Sequence, residues 1–364
     1  MDYGVMEQYW IWLSSVDGIG PRRFYQLLSV FRDARDVWAR VGDPAMDFLP
    51  KNARDALRAA RSERYFYELF AKIELRGIRA VTRLSDDYPK RLLETVDPPP
   101  TLYMRGTADL SAEKMFSIVG ARRCSRDGAR AARDFAEKLA REGVTIVSGL
   151  AFGIDAAAHE GAVRADGITI AVLGSGADVI YPAENEWLAA EILDKGGAIL
   201  SEYPPGMPPL ATNFPARNRI ISGMSAGILL VEGAKKSGAM ITVDFALEQD
   251  REVFAVPGSI YAPLSEKPNE LIVGGGLAAV SPWDILSFYK WGERPASRRA
   301  EKPKIQLDQE EEAIYAPLTR ESMTVTELCE TTGLTSGKLL SLLTTLELRG
   351  IISKQPGGEY RASR

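Results

Sequence analysis

Apolar residues recur every three to four positions through residues 8–72, which predicts a string of amphipathic helices. From Ile73 to Leu110 the pattern turns extended, with Ile78–Val81 and Leu102–Met104 as strands on either side of the rigid Asp97-Pro-Pro-Pro100 turn. Six short apolar runs follow, beginning at Phe116 and continuing at Val144–Val147, Ile168–Leu173, Ala198–Ser201, Gly227–Val231 and Glu252–Val256. Segments of helical period separate them, such as Ala129–Arg141 and Ala239–Gln249. Strands alternating with helices predict an α/β fold: a doubly wound, Rossmann-like parallel sheet, extended at one edge by the two earlier strands.

Two attachments flank this sheet. At the front, Gly18-Ile-Gly20 stands between two helices, in the manner of a helix-hairpin-helix or SAM-like domain whose glycines let backbone approach a DNA phosphate. Arg22 and Arg23 would assist. The plainer alternative is a tight helical turn with Pro21 opening the next helix. At the back, Thr324–Gly350 reads as a helix-turn-helix with Ile351–Tyr360 as a wing. The expected domains are therefore 1–72 (helical), 73–289 (extended Rossmann-like), 290–304 (linker) and 305–364 (winged helix). The linker carries six basic and two acidic residues with two prolines, a composition suited to an extended segment.

The candidate chemistry lies where strands end. The first run stops at Gly120 and the next at Ser148-Gly149; the third stops at Gly174-Ser-Gly176, so three glycine turns share the carboxyl edge where open parallel sheets bind ligands. None continues as Gly-x-Gly-x-x-Gly with a ribose-binding acid, which argues against a dinucleotide. Instead Arg122, Arg123 and Arg126 stand beside a helix start, where backbone N–H groups and the helix's positive end would converge on a phosphate. After the fourth strand, a proline-rich arm leads to Phe214, Arg217 and Arg219. A ring beside two guanidinium groups can stack a base while they hold neighbouring phosphates. The alternative is that Phe214 fills the core and the arginines pair with Glu202 or Glu232. Lys235 and Lys236 add charge to the same rim, or equally are solvated loop residues.

Global composition redirects the argument only slightly. The 364 residues carry a net charge of −4, so a nucleic-acid role must rest on local patches. The tail from Leu307 to Arg364 has six basic and nine acidic residues, which favours a protein partner over a DNA groove for the winged helix. Two distant cysteines, Cys124 and Cys329, and a single histidine, His159, argue against a zinc site and for a reducing, cytoplasmic setting, with no membrane segment and no metal or cofactor expected. Asp155 and His159 are four apart on one helix and could hydrogen-bond, but no nucleophile accompanies them, so a structural role is expected. Cys124 lies near arginines and a helix start, conditions that lower a thiol pKa, yet its expected role is small-residue packing.

Several stretches together closely resemble the DNA-processing protein A (DprA/Smf) family. They are Ile118-Val-Gly-Ala-Arg122, Ser148-Gly-Leu-Ala-x-Gly-Ile-Asp-x-x-Ala-His159, Ala171-Val-Leu-Gly-Ser-Gly-x-Asp-x-x-Tyr-Pro182, Ser201-Glu-Tyr-Pro-Pro-Gly206, Asn213-Phe-Pro-x-Arg-Asn-Arg-Ile-Ile221 and Ala255-Val-Pro-Gly-Ser259. The resemblance spans about Ile73 to Ser287. It implies a bacterial cytosolic, non-catalytic protein of natural transformation that binds incoming single-stranded DNA, forms a homodimer and loads the RecA recombinase. Carried over by motif, Gly120, Ala121 and Arg122 would contact the strand's backbone, with Phe214, Arg217, Asn218 and Arg219 opposite. The full candidate set adds Ser148, Gly149 and Lys235. Ala121 stands where the family often has Ser, and Phe152 where many relatives carry Lys or Arg. A rival is a nucleoside-monophosphate glycosidase of similar fold. Those enzymes carry Pro-Gly-Gly-x-Gly-Thr-x-x-Glu where this chain reads Val231-Glu-Gly-Ala-Lys-Lys-Ser-Gly238.

Overall fold

Nine strands form one sheet: β1 (Arg79–Thr82), β2 (Thr101–Gly106), β3 (Met115–Val119), β4 (Thr145–Ser148), β5 (Thr169–Leu173), β6 (Ala198–Ser201), β7 (Gly227–Leu230), β8 (Glu252–Ala255) and β9 (Leu277–Ala278). This computed structural model describes residues 3–235, 237–292, 307–355 and 357–362. The expected linker at 290–304 therefore lies outside the described residues from 293 onward, as does Lys236. The chain divides into two compact units, Met1–Glu293 and Arg294–Arg364.

In the larger unit the strand order is β1-β2-β6-β5-β4-β3-β7-β8-β9. The strands from β6 to β9 in that order run parallel, while β1 and β2 add antiparallel pairings at one edge. The order reverses between β3 and β7, so the carboxyl ends of those two strands border the topological switch point. The short strand β9 had no counterpart in the sequence pattern. It is two residues long and follows Gly274-Gly275-Gly276, too brief to show a period.

Both faces of the sheet are covered, which is why the strands read as nearly continuous apolar runs. Side chains alternate: Phe116 and Ile118 point to one layer, Met115 and Val119 to the other. On the first side the helix Arg126–Arg141 packs Ala132, Phe135, Ala136 and Leu139 against the sheet. It crosses the helix Ile154–Arg164 so closely that a Cβ on Gly161 would lie 2.3 Å from the Arg133 carbonyl oxygen. On the second side lie the helices Asn213–Met224 and Ala239–Glu248, burying Ile220, Ile221, Met224 and Val243.

Residues 3–75 form five helices and one 3-10 turn around Trp12, Phe24, Leu27 and Leu57. They are fastened to the sheet edge. The Tyr25 hydroxyl donates to the Pro98 carbonyl at 2.9 Å, and the hydroxyl groups of Thr82 and Ser85 donate to the Glu7 carboxylate. Gly18 takes a left-handed φ of +76° against Ala53, and Arg23 donates to the Gly18 carbonyl at 2.7 Å. Arg23 thus closes its own turn, as the plainer reading of this hairpin requires, and only Arg22 is exposed there.

In the smaller unit Thr324 caps the helix Val325–Thr332, Gly333 turns left-handed, and Ser336–Leu348 follows as the second helix of the pair. The wing is the ribbon β10 (Ile352–Lys354) and β11 (Tyr360–Ala362). Lys338 pairs with Glu310 and Arg349 with Glu311 at 2.7 Å, so both cations of that second helix are engaged within the unit.

Trp12 is fully buried, and its indole N–H reaches the Ala60 carbonyl at 3.0 Å. Trp12→Ala is expected to cost about 3–5 kcal/mol through the cavity it leaves, read as a lower urea midpoint for the larger unit.

Candidate nucleic-acid interface

At the switch point the ends of β3 and β7 and the start of the helix Asn213–Met224 surround an open cleft of about 690 Å³. The turn after β3 forms one wall and is clamped from both sides. The Ala121 N–H donates to the Glu232 carbonyl at 2.8 Å, and the Ile154 N–H donates to the Ala121 carbonyl at 3.2 Å. Gly120 is required by this crowding, because a Cβ would stand 2.7 Å from Ile154 and 2.9 Å from the Glu232 carbonyl oxygen. Arg122 and Arg123 on this turn and Arg126 at the start of the following helix are exposed, with no ion-pair partner among the described residues.

The helix start beside them is not free. The Glu232 carboxylate accepts from the Ser125 N–H at 2.8 Å and from its hydroxyl at 2.5 Å. It lies so near that a Cβ on Gly128 would fall 2.3 Å from its Cδ. The sequence aims a phosphate at that positive end; the structure fills it with a side chain. What the turn still offers a ligand is its guanidinium groups.

Opposite, Phe214 is half-buried, seated against Gly174, and carries the Arg122 guanidinium carbon 5.7 Å from its ring centre. Asn218 is partly buried on the same wall, and Gly120 and Ala121 line the cleft with them. Arg217 forms the floor. It is only 4% exposed and donates through Nη1 to the carbonyls of Gly149, at 2.6 Å, and Val172. A Cβ on Gly149 would collide with that nitrogen at 2.1 Å, so the glycine admits the arginine. Asp155, also buried, accepts from the Gly149 N–H at 3.1 Å. Burial drives the Arg217 pKa down to about 10 despite Asp155, and burial likewise raises the Asp155 carboxyl against the pull of Arg217.

Four of the candidates are therefore placed elsewhere than the sequence suggested. Ser148 is wholly buried and donates to the Ile118 carbonyl at 2.7 Å, binding β4 to β3. Gly149 is likewise under the floor. Arg219, two residues along the helix from Arg217, turns to another side and pairs with Glu202, the alternative that the sequence left open. Lys235 is exposed on the loop after β7 but does not line the cleft, although its neighbours Ala234 and Ser237 do. Phe152 is exposed and also outside the lining. The cleft holds one ring that the sequence did not single out, Tyr181, whose centre is 5.6 Å from that of Phe214. Its signal was the Tyr-Pro pair inside the third motif.

Residues 79–290 match the family described as DNA recombination-mediator protein A, and residues 298–358 match the DprA winged helix domain. The chain belongs to the DprA/Smf family. Protein Smf of Escherichia coli K12 is 42% identical over 285 residues, covering 77% of this chain and 76% of its own. Protein Smf of Synechocystis is 32% identical over 98% of both chains. The X-ray structure of DprA from Streptococcus pneumoniae superposes with a TM-score of 0.65 at 34% identity, covering 79% of this chain and 98% of that one. The DprA structure from Helicobacter pylori, described for its single-stranded DNA binding mode, gives 0.53 at 28% identity, covering 58% and 95%.

In this DprA/Smf chain the contacts of His159 are structural. His159 does not bond Asp155. Its Nδ1 lies 2.7 Å from the Thr169 hydroxyl, which itself donates to the Ile146 carbonyl, so Nδ1 carries the proton and Nε2 is left without a partner. Burial, reinforced by Arg217, lowers its pKa to about 3. Burial and Glu232 push the Cys124 thiol up, contrary to the direction its neighbours in sequence suggested. Among the described residues no three His, Cys, Asp or Glu side chains gather as a metal site, and no helix is long and apolar enough to cross a membrane.

Arg217→Ala leaves the buried Gly149 and Val172 carbonyls without their donor and is expected to cost about 1–3 kcal/mol in urea unfolding, whereas Arg122→Ala leaves the midpoint unchanged. His159 titrates near 6.5 when unfolded and about 3 when folded, so the unfolded chain takes up the proton first as pH falls. Its contribution is intact above about pH 6.5 and is lost towards about pH 3, with a slope approaching 1.4 kcal/mol per pH unit. His159→Asn is expected to remove that slope from the urea-derived stability profile.

Proposed function

We propose that this chain binds single-stranded DNA in the switch-point cleft, without catalysis, and that the Arg122 and Phe214 pair is the centre of the contact. The observation that carries the reading is an unpaired guanidinium 5.7 Å from a half-buried ring in an open cleft, with Arg123 and Arg126 exposed beside it. Unpaired bases can stack on the ring while the cations follow the sugar-phosphate chain. The single-strand binding attributed to the Helicobacter relative supports it. Gly120 and Ala121 lend the cleft backbone, and Asn218 a side-chain amide. Arg217 supports from beneath. Asp155 and His159, the one acid and base that their spacing could have paired, are instead buried in separate hydrogen bonds.

The wider role we infer is a DNA-processing one in natural transformation. Incoming strands would be held in the cytoplasm by a homodimer and handed to the RecA recombinase. Within this reading, 1–72 serves as a helical SAM or hairpin-like domain, 73–289 as the DNA-binding domain and 305–364 as a winged helix with a protein partner. The internal ion pairs of Lys338 and Arg349 favour that last assignment.

Anisotropy titrations test the proposal. Tight, salt-sensitive, sequence-tolerant binding of single strands over duplex is expected, with no base release. Arg122→Ala should weaken it about tenfold and lower the slope of log affinity against log salt by about 0.7, one phosphate contact. Truncation after Pro303 should leave affinity intact. A duplex preference, or unchanged binding by Arg122→Ala, would remove the assignment.

A further inference from the structure

Phe214 is the ring that the sequence motif points to, yet its surroundings are crowded. The Arg122 guanidinium lies 5.7 Å from its centre, and the turn after β5 presses so close that a Cβ on Gly174 would come 3.0 Å from Cδ1. Tyr181 differs. It keeps 46% of its surface exposed, its hydroxyl has no hydrogen-bond partner among the described residues, and its one aromatic neighbour there is Phe214, 5.6 Å away with the planes at 43°. Both rings line the same cleft as Arg122.

That separation decides what the two rings can hold. A base inserted between them would need twice the stacking rise of about 3.4 Å, which exceeds the 5.6 Å between centres. The rings therefore offer two adjoining facets, inclined to one another, and no slot. We propose that Tyr181 is a second base-stacking platform, so that two consecutive unpaired nucleotides are seated, one on Tyr181 and the next on Phe214. Arg122 then leaves the Phe214 ring for the phosphate that joins them. The ligand class is an unpaired dinucleotide step of any sequence, since every base has a face to stack. A duplex is refused because its bases are already stacked on one another. This inference rests on the cleft reading given above.

Anisotropy at low salt separates the two claims, using an oligothymidine and an abasic sugar-phosphate strand of the same length. Tyr181→Leu is expected to bind the oligothymidine about tenfold more weakly, a loss in the range of one stacked base. Tyr181→Phe keeps the ring and should stay within about twofold of wild type. Both variants should bind the abasic strand as wild type does. Wild-type affinity of Tyr181→Leu for oligothymidine, or an equal loss on the abasic strand, overturns the platform while leaving the cleft standing. A wild-type protein that binds neither strand removes the cleft reading and the platform with it.

Discussion

A buried guanidinium holds the carboxyl edge of the sheet together. Arg217 reaches under the cleft and ties the ends of β4 and β5 through two carbonyls, while Asp155 holds the Gly149 amide from the neighbouring helix. Removing a charge from water is costly, and here two carbonyl oxygens and the nearby charge of Asp155 offset part of that cost. The same insertion fixes the helix Asn213–Met224, and with it the positions of Phe214 and Asn218 relative to the turn after β3. Three glycines follow from it or from the packing beside it: Gly149 beneath the arginine, Gly120 between a helix start and the loop after β7, and Gly174 behind the phenylalanine.

Cations in this protein divide by whether they have an internal partner. Arg23, Arg217, Arg219, Lys338 and Arg349 are each committed to a carbonyl or carboxylate. Arg122, Arg123 and Arg126 are not, and they lie within five residues on the turn after β3 and the helix start that follows it. A chain with net charge −4 thereby concentrates free positive charge beside an aromatic cleft, the combination that favours unpaired nucleic acid irrespective of sequence. Glu232 sharpens the effect by occupying the adjacent helix start, which leaves side-chain cations as the groups that meet an anion there.

The sheet could be read from the sequence because strands buried on both faces are unbroken apolar runs, and glycine turns mark where they end. The two-residue β9 could not, since no period exists in two residues. The site was half readable. Residue type and spacing located Arg122, Phe214 and Asn218, because a turn and a helix start fix where such side chains begin. Spacing does not say which way successive helical residues point, so Arg217 and Arg219 looked alike although one forms the floor and the other faces Glu202. Gly149 was misread for a related reason: a glycine shows that something comes close, but not whether it is a ligand or an arginine of the same chain. Tyr181 arrives from a loop after a different strand, and only the folded chain sets it beside Phe214.

Photocrosslinking with a bromodeoxyuridine-substituted oligothymidine, mapped by mass spectrometry, tests the central claim most directly. The cleft account predicts adducts on the peptides that carry Arg122 and Phe214. Adducts confined to the Gly18-Ile-Gly20 hairpin or to the helix Ser336–Leu348, with none at the switch point, would contradict it.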